Sequence, residues 1–473
     1  MVIGIIGGGL SGTLTAIHLL QNAPGGTTIC LVEQDRYRMH RGIAYASQLP
    51  FQPLNVPAAS MSLFPDKPDD FYTWLAEHQH KYSRHLSLPV RETDFIPRHI
   101  FGDYLKARLL EAEARKGKGV TFSRAYDEAI AVKREEAAFR IELGSGEAIQ
   151  ADKVVLAFGN FPPASLPIPH PEFYQSDLYV ASPWSAKALA NLPAEAPVLL
   201  IGSSLTMVDL VGSLQAQGHK GTIYVVSRHG LLPQPCDVGT APYPLKISLP
   251  LHAGLSALET FRFIRREITR AEANGYTWRD VLDALRDDIP VIWQAFSLQE
   301  KKAFLRHLRP YWETHRHRMP ASSAALLQQL QAEGQLEVIA ASIVDIQQLG
   351  EGACVTLKRR KHAHQEQLTV ARVINCTGPQ SDFAKIQAPL VRQLLADGMV
   401  VPDELKLGLV TTPGGALLGK AGKPIAGLYT LGPSRKGMLY ESTALREIRQ
   451  QAHDLAQELT RSNSAWVKAQ QAI

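Results

Sequence analysis

Twice in this chain a short run of aliphatic residues enters a glycine turn and continues into an apolar helix, and few architectures accommodate that pattern twice. The first copy spans Val2 to Leu20. Ile3, Ile5 and Ile6 predict a buried strand, and Gly7-Gly8-Gly9-Leu10-Ser11-Gly12 supplies the spacing G-x-G-x-x-G. Gly7 permits the tight turn, Gly9 lets the backbone approach a pyrophosphate, and Gly12 lets helix and strand pack closely. The next strand, Thr28 to Val32, ends in Glu33, twenty-one residues after Gly12. A carboxylate at that point accepts hydrogen bonds from an adenosine ribose, and the anionic bridge sits at the positive end of the Leu10 to Leu20 helix. The alternative is a glycine-rich turn without ligand.

The second copy spans Val198 to Leu214, where Val198-Leu199-Leu200-Ile201 enters Gly202-Ser203-Ser204-Leu205-Thr206-Met207. Ser204 stands in place of the middle glycine and Met207 in place of the third. Serine still allows a fairly close approach, and its hydroxyl can donate to phosphate. The strand Ile223 to Val226 then ends in Ser227-Arg228-His229 rather than in an acid. A carboxylate would repel a 2′-phosphate, whereas a guanidinium binds it with paired hydrogen bonds, so the second nucleotide reads as NADPH rather than NADH. A surface arginine after a strand is the competing reading.

Each copy is followed by a similar tail. Val120 to Phe122, Glu128 to Val132 and Phe139 to Leu143 alternate like an antiparallel meander, closed by Lys153 to Gly159. Leu336 to Ile339, Ile343 to Gln347 and Cys354 to Leu357 repeat the pattern, closed by Arg372 to Gly378. The expected class is α/β: two Rossmann-like dinucleotide-binding domains with β-meanders plus an inserted helical segment. The expected division is 1–180 with 377–473 for the first nucleotide, 195–232 with 335–376 for the second, and 233–334 for the helical insertion. In that insertion the periodicity predicts helices over Leu255 to Ala273, Trp278 to Ala295, Leu298 to Arg309 and Ala321 to Ala332, with Ser297 and Glu300 as a capping box. Pro310 should break or kink its helix, after which Trp312 and Arg316 share a face. Cations interleaved with aromatics there suit an anionic substrate or nucleotide phosphates, and a solvated helix with an inward tryptophan serves equally well.

Composition narrows the function classes. The 473 residues, 45% hydrophobic, suffice for two or three domains with cores. A formal charge of +5 does not argue for nucleic acid, and the run Lys358-Arg359-Arg360-Lys361-His362 reads as a solvated hairpin turn. With no basic leader and no run near eighteen apolar residues, the expectation is a soluble, cytoplasmic protein without membrane attachment. Cys30, Cys236, Cys354 and Cys376 form no C-x-x-C pair, which argues against thiol-disulfide chemistry. Cys30, Cys354 and Cys376 lie in predicted strands as packing residues. The histidines show no metal-ligand spacing.

The chain resembles the two-dinucleotide-binding-domain flavoproteins. Within them it is similar to bacterial FAD-NAD(P)-binding oxidoreductases and, more remotely, to flavin-containing and N-hydroxylating monooxygenases. Besides the glycine turns, the resemblance rests on Arg41-Gly42-Ile43-Ala44-Tyr45, Leu54-Asn55-Val56-Pro57-Ala58, Met61 to Asp66, Ser227 to Pro233, Asn375 to Pro379 and the closing segment Leu428 to Ala456. It implies FAD in the first unit and NADPH in the second. The cofactor contacts it implies are Gly7, Gly9, Leu10, Ser11, Gly12, Glu33, Gln34, Arg41, Tyr45, Asn55, Ala129, Gly159, Gly202, Ser203, Ser204, Leu205, Thr206, Ser227, Arg228, Gly378, Gly432, Tyr440 and Glu441. Asn55 resembles the asparagine that faces the flavin in such monooxygenases, and a turn asparagine before Val56-Pro57 is the other reading. Arg98 and Arg316 are further catalytic candidates for orienting substrate or cofactor. The implied chemistry is hydride delivery from NADPH, addition of dioxygen at flavin C4a, and oxygen transfer to a small organic substrate. The stretch Phe173 to Trp184 departs from the monooxygenase pattern in lacking its glycine and histidine. A flavin reductase or dehydrogenase without oxygen insertion, and a flavin-bound redox sensor, therefore stay open.

Overall fold

A computed structural model describes residues 1–46, 52–237, 243–244, 254–360 and 364–461. Among these, the first glycine turn belongs to a six-stranded sheet in which Val2–Ile6 lies centrally, between Lys153–Leu156 and Thr28–Val32, all parallel. Ile3 and Ile5 are fully buried, as strands covered on both faces require. Pro424–Thr430 pairs parallel with Lys153–Leu156, so the carboxy-terminal strand completes the sheet begun at residue 2. The Leu10–Asn22 helix packs against the closing Leu445–Thr460 helix, whose Leu445, Ile448, Ala452, Leu455 and Leu459 are buried at helical spacing.

The second turn belongs to a seven-stranded sheet, with Ile223–Ser227, Val198–Ile201 and Arg372–Asn375 adjacent and parallel. Tyr179–Val180 adds parallel to its edge, beside Arg372–Asn375. The chain thus enters the second sheet just before residue 180. A separate three-stranded meander, Ala129–Glu135, Ala138–Leu143 and Ala148–Ala151, lies on the first unit.

Several predicted elements differ. Thr121–Ala125 is not part of the meander but runs parallel beside Thr28–Val32 as the outer strand of the first sheet. Alternation reports a half-covered strand and says nothing of its partner's direction. The two strands expected over Leu336 to Gln347 are one, Leu336–Leu349. Its first part is parallel to Ile223–Ser227 and its second antiparallel to Gly352–Arg359, with a register irregularity between Ile343 and Asp345. The expected helix over Trp278 to Ala295 is two, Trp278–Ala284 and Ile289–Ala295. Pro290 opens the second, where its missing N–H costs nothing. A break does fall before Pro310, between Leu298–His307 and Arg309–Arg316. The capping box at Ser297 is only half formed. Ser297 Oγ accepts from Glu300 N, but the Glu300 carboxylate instead accepts from Ala257 N at 2.7 Å, tying two helices of the insertion together. Complete boxes occur at Ser256 with Glu259 and Thr277 with Asp280.

Packing of the first and last helices buries His18, 3% exposed, edge-on to His453 at 5.2 Å. Burial, reinforced by His453, pushes the imidazole pKa down to about 4. Because the folded pKa lies below the unfolded 6.5, the unfolded chain binds the extra proton. Stability is therefore lost as pH falls from 6.5 towards 4, by roughly 3 kcal/mol for this group. Thermal denaturation should show a melting temperature that drops over this window, and His18→Leu should shrink the drop. A variant with unchanged acid sensitivity would exclude His18 as a cause.

Candidate functional site

The first glycine turn opens on a cleft of about 340 Å3. Gly7 adopts φ +109°, and a Cβ there would stand 2.3 Å from Ala157 O on the adjoining strand. Gly9 caps the Leu10–Asn22 helix, and no side chain caps it in turn. The positive end of the helix is therefore left to whatever anion lies against Gly9, Leu10 and Ser11 in the cleft wall. Glu33 stands at the far side. Its Oε2 accepts from Gly8 N at 2.9 Å and its Oε1 from Asp35 N at 3.1 Å, so the carboxylate is oriented by the backbone of the turn itself. Gln34, Ala129 and Gly159 line the same wall, as do Arg41 and Tyr45. Arg41 is steered by an ion pair with Asp103, which also accepts from Tyr82 Oη at 2.9 Å. Tyr45 is buried against Phe101, 4.7 Å between rings.

These residues fit a dinucleotide: a helix end without a cap for the pyrophosphate, a carboxylate for the ribose, and a turn at Gly7 that leaves no room for a side chain. Gly42, which the motif spacing does not single out as a contact, is part of the device. At φ +57° its own Cβ would come within 2.9 Å of Gly9 Cα, so this glycine lets the Arg41–Tyr45 segment cross directly over the turn. Pro433 and Thr443 also line the cleft, from the carboxy-terminal segment. Gly432, at φ +76°, would bring a Cβ within 2.8 Å of Ser11 Oγ, so the last segment returns onto the first helix.

The second turn repeats the geometry. Gly202 has φ +104°, and its Cβ would meet Cys376 O at 2.7 Å, just as Gly7 meets Ala157. Ser204 precedes the Leu205–Ala216 helix without capping it through its side chain, and Leu205 and Thr206 form the first turn. Ser203 Oγ donates to Ser227 Oγ at 2.9 Å and lies 2.6 Å from Leu231 O, joining the glycine turn to the next strand's end. Arg228 is exposed beside that junction. Arg360 lies close by, its guanidinium 2.9 Å from His229 Nδ1. The run that reads as a solvated turn thus delivers one cation to the place expected for a 2′-phosphate. Lys361 and His362 of that run lie outside the described residues. Gly378 has φ +90° with open space around it and lies apart from the first cleft.

The segments before Asn55 and up to Arg98 are brought together, but Asn55 itself lies just past the pairing, in a bend, and does not line the first cleft. Leu54 N donates to Ile96 O at 2.8 Å and Arg98 N to Gln52 O at 3.0 Å, so the two segments form a short antiparallel rung. Asn55 is half-buried there. The Arg98 side chain leaves this rung for the second unit: Nη2 lies 3.2 Å from Asp209 Oδ2 on the Leu205–Ala216 helix. Both are largely buried, and the guanidinium also lies over the Trp184 ring.

Arg316, Tyr440 and Glu441 do not line the first cleft. Arg316 Nε lies 3.3 Å from Glu441 Oε1, with side chains 8% and 4% exposed. Beside them Arg286 binds Glu447 at 2.6 and 2.9 Å. These pairs bolt the helical insertion onto the carboxy-terminal segment and leave Arg316 no free charge for a substrate. Trp312, expected on the same face as Arg316, is partly buried. Tyr440, at φ +59°, turns into the insertion, its ring 4.7 Å from Trp293 and its hydroxyl donating to Glu313 at 3.2 Å. The pattern of the closing segment places Tyr440 near the flavin edge. The residues of this segment that line the cleft are instead Pro433, Thr443 and Ile448.

The architecture is two dinucleotide-binding units, each a parallel sheet with a glycine turn opening a helix, with a helical piece inserted in the second. Residues 4–161 match the FAD-NAD(P)-binding family. The whole fold is similar to the ornithine N-hydroxylase of Kutzneria sp. 744, at 16% identity over 97% of this chain and 98% of that one, with a TM-score of 0.65. It is similar too to the L-lysine 6-monooxygenase of Pseudomonas syringae, at 14% identity over 97% and 98%, TM-score 0.65. The cadaverine monooxygenase of Erwinia amylovora gives 14% identity over 97% and 94%, TM-score 0.61. At such identities the likeness is one of fold. No protein of curated function matches the sequence. No described helix is long and apolar enough to cross a membrane.

Proposed function

We propose that this protein is an FAD-dependent, NADPH-using monooxygenase acting on a small organic substrate. The balance is substrate, O2, NADPH and H+ giving hydroxylated substrate, water and NADP+. The observation that supports the reading is the placement of Arg98, whose backbone pairs with Gln52 in the first unit and whose side chain reaches Asp209 on the second nucleotide helix. Bound FAD would supply the two-electron relay between NADPH and dioxygen. The chain's own contributions are positional. Gly7, Gly9, Leu10, Ser11 and Gly12 hold the dinucleotide bridge, Glu33 the ribose, and Gly202 to Thr206 the second pyrophosphate. Asn55 provides an amide hydrogen bond near the reacting centre, and Arg98 acts as a positioning residue. Buried Tyr45 and Phe101 keep water from that side of the cleft. The four cysteines are free, and burial pushes the Cys376 thiol well above its ordinary value, which suits packing rather than redox exchange.

Anaerobic mixing with NADPH should bleach the bound flavin within the turnover time. Mixing the reduced protein with oxygen should give a transient near-ultraviolet band before the oxidised spectrum returns. Reoxidation without that transient would replace this reading with a flavin reductase. Arg228→Ala should raise the KM for NADPH about tenfold or more while leaving NADH use unchanged, because a charge-assisted phosphate contact is lost. Adding Arg360→Ala should raise it further. Equal loss with NADH would remove the 2′-phosphate assignment.

A further inference from the structure

The helical insertion, with Tyr440 of the closing segment, lines a second, half-open cavity of about 520 Å3, distinct from the nucleotide cleft. Its size falls within the range that holds small organic ligands. Trp278, Trp293, Trp312, Phe261, Phe296 and Phe304 form much of the wall, completed by leucine and isoleucine side chains. Several polar atoms of the lining residues are engaged within the protein, whereas Trp312 Nε1 is buried without a hydrogen-bond partner. Thr260 Oγ1 donates to Ser256 O at 3.0 Å, Trp293 Nε1 to Gly437 O at 2.8 Å and Tyr440 Oη to Glu313, while His315 Nδ1 lies 2.8 Å from Tyr311 O. Among the described residues no carboxylate lines the space, and its one arginine, Arg265, is exposed at the edge over the Phe261 ring. An ammonium group placed inside would find ring faces but no counter-ion or carboxylate acceptor among the lining side chains.

The cavity adjoins the nucleotide cleft through one segment. Tyr440 lines the cavity, and Thr443, three residues on, lines the cleft. Trp293 holds this segment by its bond to Gly437.

We infer that this cavity binds a neutral, apolar molecule with an aromatic or alicyclic body, and not a basic amino acid or diamine. Resting on the monooxygenase reading, this molecule is the substrate. The test is equilibrium dialysis of the flavin-loaded protein against 1-naphthol, L-ornithine and L-lysine, together with NADPH-dependent oxygen uptake in their presence. 1-Naphthol should bind saturably with one site per chain, and the two amino acids should not. Ile264→Phe and Leu282→Phe, each adding bulk at the wall, should weaken 1-naphthol binding about tenfold. Saturable binding of L-ornithine or L-lysine without 1-naphthol, no 1-naphthol binding to the wild-type protein, or equal affinity in both filled variants would overturn the assignment. The oxygen-uptake arm separates the two ideas. Binding of 1-naphthol without any effect on uptake would leave the cavity as a binding site but remove its role as the substrate site, while absence of the transient on reoxidation would sink the monooxygenase reading itself. Accelerated uptake and hydroxylation of an ammonium-bearing compound would keep that reading and overturn the cavity as the substrate site.

Discussion

Replacing Gly12 by alanine is expected to give a chain that no longer retains FAD and that melts well below the native protein. A Cβ at this position would stand 1.9 Å from Gly7 O and 3.2 Å from Ile5 Cγ2. The nearer obstacle is backbone of the phosphate turn, so no side chain can swing aside to relieve it. The Leu10–Asn22 helix must retreat from the Val2–Ile6 strand instead, which loosens the core around Ile5, Leu14 and Ile17. Overpacking of this kind costs about 1–3 kcal/mol, and more where the obstacle is rigid. The same retreat draws the Leu10 and Ser11 amides away from the pyrophosphate, so stability and flavin retention should fail together. Flavin absorbance per polypeptide and thermal denaturation measure both. Gly117→Ala is the control, since its Cβ would make only an ordinary contact at 3.5 Å with Val120 Cγ2. Full flavin content and an unchanged melting point in the Gly12 variant would contradict the tight approach.

Gly12 shows why the nucleotide turns are legible in the amino-acid sequence. Glycine is the residue for which a close backbone approach leaves a direct trace in the sequence, and Glu33 follows at a distance set by one helix and one strand. The second turn is legible despite Ser204 and Met207, because the strand and helix around it keep their period. Met207 is itself wholly buried, occupying space that a third glycine would leave to the helix and strand. What is not legible depends on pairing between distant segments. Nothing local distinguishes Thr121–Ala125 as a parallel edge strand from a meander strand, because direction is decided by Thr28–Val32. The single long strand Leu336–Leu349 is hidden by its irregularity at Ile343, where the inward face changes. Arg360 looks like a turn cation, since only the fold brings it to His229.

The catalytic candidates divide along the same line. Asn55 carries a family resemblance and Arg98 stands as a candidate for orienting substrate or cofactor, and the backbone pairing of their two segments cannot be seen without the fold. Arg316 reads as a cation available to a substrate because it follows Trp312 at helical spacing. Its partner Glu441 lies 125 residues away in the chain, beyond the reach of any periodicity argument. Burial then changes the meaning of the charge. Desolvation pulls the Arg316 guanidinium below its usual value while Glu441 opposes it, the balance of an anchoring pair rather than of an open anion site. The cavity in the insertion is invisible in the sequence for a related reason: its wall comes from five helices, and tryptophans that read individually as core residues surround an open space.

Arg98→Ala should cause a large loss of stability, and its pH dependence should show why. Asp209 is the ion-pair partner of the Arg98 side chain, 3.2 Å away, with the aspartate side chain 9% exposed. Burial pushes the Asp209 carboxyl up and Arg98 holds it back. Without the guanidinium the carboxylate remains in the interface uncompensated, at a cost of about 3–5 kcal/mol. An aspartate whose folded pKa is raised above its unfolded value binds its proton more tightly when folded. Its contribution is therefore most favourable at low pH and is lost as pH rises through the folded pKa. The variant should lie close to wild type near the acid end of its stable range and fall furthest behind on the alkaline side, as denaturant titrations at both ends would show. A deficit below about 1 kcal/mol on the alkaline side would place this pair with exposed ion pairs of little weight. The double replacement Arg98→Met with Asp209→Leu removes both charges and should recover most of the stability, since an apolar pair of similar bulk replaces a buried ion pair without net loss. Its anaerobic reduction by NADPH then separates two roles. If Arg98 only fixes the second nucleotide helix against the Asn55 rung, the double variant reduces flavin at nearly the native rate; a stable but slow double variant would mean that the guanidinium itself touches the nicotinamide or the flavin.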